Sequence, residues 1–212
     1  MPPPRHLLLP SYLLSSLNAL HLSFVSLSLL PRYLSLPPPT APAFYECSRS
    51  TPTEAKLADA VHLSASLFAL YLALDLLLLS RASPPPSTLL HHLLFLALTL
   101  LQLRSERSCL PFLWLALGEL STLFLNARWF LRACGGKRSR ALDVLFALAF
   151  FGARVLGYGT GLFFFLRDDP NVLGRWELWQ VTAPLLAAGY VLNLAWMRKI
   201  VGVALRPDEK VS

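Results

Sequence analysis

The stretch from Leu89 to Leu131 reads LLHHLLFLALTLLQLRSERSCLPFLWLALGELSTLFLNARWFL, and its reading decides the class of the fold. It consists of two apolar runs joined by a short charged turn. Each run carries polar groups that apolar helices normally avoid. His91 and His92 open the first run, and Glu119, Ser121, Thr122 and Asn126 lie inside the second. In a membrane-crossing helix the ionisable groups among them are costly, so they are functional-site hypotheses by default.

The rest of the chain agrees with a membrane setting. The 212 residues are 55% hydrophobic and only 15% charged, well below the roughly 25% charged residues of a soluble domain. Several apolar runs reach the ~20 residues that a hydrocarbon core demands. The expected spans are 7–30, 57–80, 87–103, 110–131, 141–166 and 177–203. Together they predict an all-α, polytopic membrane bundle of about six helices. Three segments follow from the pattern: an N-terminal helix with a Pro-rich loop (1–56), a membrane domain (57–205) and a short tail (206–212). For the first run, a retained helix and a cleaved targeting segment compete. Its length, and the lack of a clear small-residue cleavage site after it, favour retention.

The net charge of +7 does not indicate nucleic-acid binding, because the basic residues gather at helix ends, where topology explains them. The densest clusters are the loop Arg132–Arg140 and the tail from Arg198 to Lys210, which six spans place on one side. Both termini are therefore expected in the cytosol. Cys47, Cys109 and Cys134 lack metal-ligand spacing and fall in different segments. They read as free thiols, with Cys47–Cys109 the pairing left open. No metal and no resident cofactor are expected.

Orientation converts position into depth at about 1.5 Å per residue. Asp75, His91, His92, Asn126 and Asn193 then fall roughly 5–10 Å below the cytosolic boundary, while Glu119 and Arg154 share a deeper layer at roughly 20 Å. Glu119, Thr122 and Asn126 make one polar stripe at i, i+3 and i+7. The expectation is a polar cavity opening toward the cytosol with a Glu119–Arg154 pair at its floor. Gly157 and Gly161, one turn apart, would let a neighbouring helix approach closely. Arg128, near a helix end, reads as snorkelling to the interface. Asn193 and Thr99 could equally bond neighbouring helices, and Asp75 could have a structural role.

The chain resembles the TLC-domain family, multi-spanning proteins that include the ceramide synthases and several groups of lipid-regulating membrane proteins. The likeness runs from His62 to about Leu205. It rests on YLALDLLLL at Tyr71, the pair His91–His92, GELSTLFLNARWFL from Gly118, FFGARVLGYGTG from Phe150, and VLNLAWMRKIVGVALR from Val191. The string around Glu119 looks like the branch outside the ceramide synthases. In those enzymes a His-Asp cluster follows the double His; here Gly118 and Glu119 occupy that place.

The resemblance thus implies a lipid-handling protein with membrane lipids as partners, in the endoplasmic reticulum or plasma membrane. The alternative is an acyltransferase taking acyl-CoA and a sphingoid amine, with His91 or His92 as base. A channel or transporter finds little support, since no repeat and no matched pair of broken helices is evident.

Overall fold

The computed structural model describes residues 5–35, 47, 51–80, 84–105, 109–167 and 176–205. The expected charged turn at Glu106 and Arg107, most of the Pro-rich loop and the tail after Leu205 lie outside the described residues. In chain order the helices are α1 (Arg5–Leu34), α2 (Pro52–Ser80), α3 (Pro86–Ser105), α4 (Cys109–Leu117), α5 (Leu120–Ala133), α6 (Arg140–Phe150), a π-helical turn (Phe151–Gly157), α7 (Tyr158–Arg167) and α8 (Trp176–Ala204). Among the described residues, five spans are long and apolar enough to cross a membrane, counting α4–α5 and α6–α7 as one each. The 29-residue α8 runs beside them as the sixth.

Local sequence explains the helix ends. Thr51 and Glu54 form a reciprocal cap at the start of α2: the Glu54 N–H donates to Thr51 Oγ1 at 3.2 Å, and the Thr51 N–H donates to the Glu54 carboxylate at 3.0 Å. Pro52 follows at the first helical position, where its missing N–H costs nothing. This cap starts α2 five residues before the apolar run suggests. At the end of α5, the Gly136 N–H reaches the Leu131 carbonyl at 2.8 Å and the Gly135 N–H reaches Arg132 at 3.1 Å. Gly135 adopts φ +78°, which the absence of a side chain makes inexpensive. Ser139 then caps α6 by accepting from the Leu142 N–H.

The six spans form a closed ring, in which α1 packs on α2, α2 on α3, α3 on α8, α8 on α6, α6 on α5, and α5 on α1. What fills the ring differs between its two halves. The span 109–133 is expected to be one helix, but it breaks at Gly118–Glu119. Beyond the break, α4 leans into the centre and packs against α1, α2, α3, α7 and the π turn. Seven of its nine residues are buried. On the other side of the break, α5 stays in the wall between α1 and α6 and buries only Ser121, Thr122 and Asn126. One half of the bundle is therefore plugged by α4 and the other is left open.

Close approach in the plugged half depends on glycine. A Cβ on Gly161 would lie 2.6 Å from Trp114 Cβ, and one on Gly157 would lie 3.2 Å from a Leu117 methyl. On α1, Ser15, Ala19 and Ser26 face inward with Leu22 and leave room for their neighbours. The outer surface is the reverse: Leu17, Phe24, Leu63, Leu77, Leu148 and Phe163 are all more than half exposed. An apolar surface of that extent belongs against lipid tails.

Cys47 and Cys109 form a disulfide with Cα atoms 5.3 Å apart, which corrects the reading of both as free thiols. The bond ties the α1–α2 connection to the start of α4 at the plugged end. Cys134 stays free and exposed at the opposite, basic end.

Candidate functional site

The open half encloses a cavity of about 570 Å³ whose mouth lies at the basic end. Its walls are mainly apolar, with Leu72, Leu79, Phe146, Phe150 and Ile200 among the lining residues. The polar groups are gathered at three levels, and six of the seven residues expected at a polar cavity from sequence line it.

At the floor, Arg154 extends from the π turn into the break between α4 and α5. Its Nη2 donates to Glu119 Oε1 at 2.9 Å and to Thr122 Oγ1 at 3.1 Å. Its Nε donates to the Gly118 carbonyl and to Ser121 Oγ, both at 3.0 Å. Gly118 eases this approach, since a Cβ would sit 3.0 Å from the Leu115 carbonyl oxygen and 3.3 Å from Arg154 Cγ, and the neighbours would have to give by a few tenths of an ångström. Through the break the backbone uses tighter i→i+3 bonds, Gly118 N–H to Leu115 and Glu119 N–H to Ala116, both 3.0 Å. The irregular backbone is thus satisfied by a buried side chain from the facing span, a condition that lipid-embedded structure imposes. The π turn that carries Arg154 is itself a rare form, frequent at functional sites.

Midway up the wall, a hydrogen-bonded chain crosses three helices. Ser11 Oγ donates to Asp75 Oδ1 at 2.5 Å, and Asp75 Oδ2 lies 2.8 Å from His92 Nε2. His92 Nδ1 lies 2.9 Å from the Thr88 carbonyl. A carbonyl only accepts, so Nδ1 carries a proton. One further proton must sit between Nε2 and Asp75. In either arrangement His92 offers no lone pair to a substrate.

His91 is different: its ring lies 4.3 Å from Phe95 and 5.0 Å from Trp196, and its buried Nδ1 has no partner. Both histidines line the cavity, although adjacent helical positions point about 100° apart. On the opposite wall, the Asn126 amide donates to Ser15 and Ser16 at 3.1 and 3.0 Å.

Asn193, expected in the same layer, does not line the cavity. It is buried, and both its side-chain polar atoms lack partners. Arg128, expected to snorkel, instead forms an ion pair with Asp143 at 2.6 Å. Arg138 pairs with the other oxygen of that carboxylate at 2.6 Å and donates to the Val203 carbonyl at 2.8 Å. These groups, with Ser11, Trp196 and Lys199 at the cavity, were missed by sequence reasoning. The signal for the ion pair was present: Arg128 and Asp143 lie at matching distances on either side of the basic loop.

The family model described as the TLC domain (TRAM, LAG1, CLN8) matches residues 13–202. Neither the curated proteins nor the solved structures yield a match.

Proposed function

The chain belongs to the TLC-domain family, and from that premise we propose that it is a lipid-handling membrane protein that holds an acyl chain between its helices. The supporting observation is the cavity of about 570 Å³, apolar along its walls and closed at one end by α4. Its size falls within the ~300–1,000 Å³ of small-molecule sites. A tail entering from the mouth would lie against Leu72, Leu79 and Phe146, side chains as apolar as the lipid tails it leaves. A partly polar group on the chain would meet His91 and Asn126 deeper inside.

The test is displacement of a fluorescent acyl probe from the purified full chain. Ile200→Trp adds bulk at the mouth without touching the polar chains. It is expected to weaken probe binding roughly tenfold, a loss of about 1.4 kcal/mol. Unchanged binding, or none in the parent protein, would overturn this reading.

The unpartnered Nδ1 of His91 is the observation that favours acyl transfer as the second reading. His91 would then be the base, since both nitrogens of His92 are engaged. An amide product from acyl-CoA and a sphingoid amine, abolished by His91→Ala, would decide for the acyltransferase.

The protein is proposed to reside in the endoplasmic reticulum or plasma membrane, with the basic end in the cytosol. The Cys47–Cys109 bond supports this, because a disulfide persists on the oxidising side of such membranes, and basic loops favour the other side. Glycosylation acceptor sites inserted near Ser50 should be modified, whereas sites placed after Ser212 should not. The reverse pattern would invert the topology.

A further inference from the structure

A second, smaller cavity of about 130 Å³ adjoins the mouth and is lined by Arg128, Asp143, Phe146, Lys199, Ile200 and Val203. Four of these residues also line the main cavity, so the two spaces share a wall. The charges around them are unevenly matched. Of the two acids lining the main cavity, Asp75 is held by His92 and Glu119 by Arg154. Asp143 lies beneath Arg128 and Arg138. Lys199, exposed on α8, shares the side cavity with Asp143 but forms no ion pair with it or with any other described acid. Two cations, Arg128 and Lys199, thus line the side cavity with the single carboxylate of Asp143, which Arg138 also neutralises from outside the lining.

The volumes limit what fits. A cavity of about 150 Å³ holds one benzene, or six carbons. At that scale the main cavity takes roughly twenty-odd carbon atoms, which is one long chain rather than two. The side cavity has room for one small head group.

Resting on the lipid-binding reading above, we propose that the occupant is a single-chain anionic lipid. Its chain lies in the main cavity, and its phosphate or carboxylate sits in the side cavity between Lys199 and Arg128. A planar guanidinium and an ammonium together suit an anion with several acceptor oxygens.

The experiment is competition against a fluorescent neutral acyl probe on the full chain, with oleoyl lysophosphatidate, oleate, monooleoylglycerol and dioleoyl phosphatidate as competitors. Lysophosphatidate, oleate or both should compete at least tenfold better than monooleoylglycerol, and whichever is stronger identifies the head group as phosphate or carboxylate. Lys199→Gln should lower that preference at least fivefold, read as the ratio of competition by the charged single-chain lipid to competition by monooleoylglycerol on the same variant. Added salt should weaken the anionic ligands selectively.

Equal competition by the charged and neutral single-chain lipids would overturn the head-group assignment while leaving lipid binding intact. Dioleoyl phosphatidate matching lysophosphatidate would overturn the single-chain limit. No binding by any of the four would instead bring down the underlying lipid-binding reading.

Discussion

Glu119→Gln is expected to cost about 3–5 kcal/mol of stability, the usual effect of removing one partner from a buried ion pair. Both side chains are only 7% exposed, so the guanidinium of Arg154 would be left without its counter-charge at the floor of the cavity. Single neutral hydrogen bonds between membrane helices average only about 0.6 kcal/mol. Thr122→Ala should therefore be several times milder than Glu119→Gln. Arg154→Met should cost about as much as Glu119→Gln, because it strands the Glu119 carboxylate, while the Gly118 carbonyl keeps the Ser121 hydroxyl as a donor at 2.9 Å. The pair Glu119→Gln with Arg154→Met should lose less than the two single losses added together, since no lone charge remains. Detergent-titrated unfolding of the four proteins measures this directly. Strictly additive losses would mean that the two residues do not act as a pair.

The same pair shows what could be read from the sequence and what could not. Glu119 and Arg154 are equally far from one basic loop, so two antiparallel helices bring them to one depth by geometry alone. Depth along a helix is legible in this way, but the direction a residue faces is less so. Asn193, expected in the same layer as the histidines, is buried but is not among the residues that line the cavity. The six spans followed from length and composition, whereas the break within the fourth did not. A single glycine in an apolar run lowers helix propensity by only about 1 kcal/mol. The groups at the break are bonded in part by Arg154, a residue on another span. The π turn is hidden for a related reason, since its sequence, FGARVLG, has nothing that α-helix would reject. Arg128 was read alone as a snorkelling cation because its partner lies beyond the loop. The open half of the bundle follows from the break, and so the site depends on the one feature that local sequence does not announce.

Removing the Cys47–Cys109 disulfide is the second large effect expected, and it acts at the far end of the molecule from the cavity. The bond closes a loop with a sequence separation of 62 residues, for which loop-closure entropy gives about 4 kcal/mol in a freely unfolded chain. The loop contains α2 and α3, which stay helical and inserted in a membrane-bound unfolded state. The chain freedom that the bond removes is smaller there, and a loss of about 2–4 kcal/mol is expected. Cys109 is fully buried where α4 enters the core, so alanine, which adds no polar group, is the suitable replacement at both positions. Cys47→Ala and Cys109→Ala should be equally destabilised, and the double variant no more so than either. Reductant should bring the parent protein down to the level of the variants and leave them unchanged. Cys134→Ala, at an exposed position, should match the parent under both conditions. Because α4 is the plug, loosening its start should also raise protease sensitivity at the closed end before lipid binding at the open end declines. A parent protein indifferent to reductant, with variants as stable as itself, would remove the disulfide from the forces that seat α4.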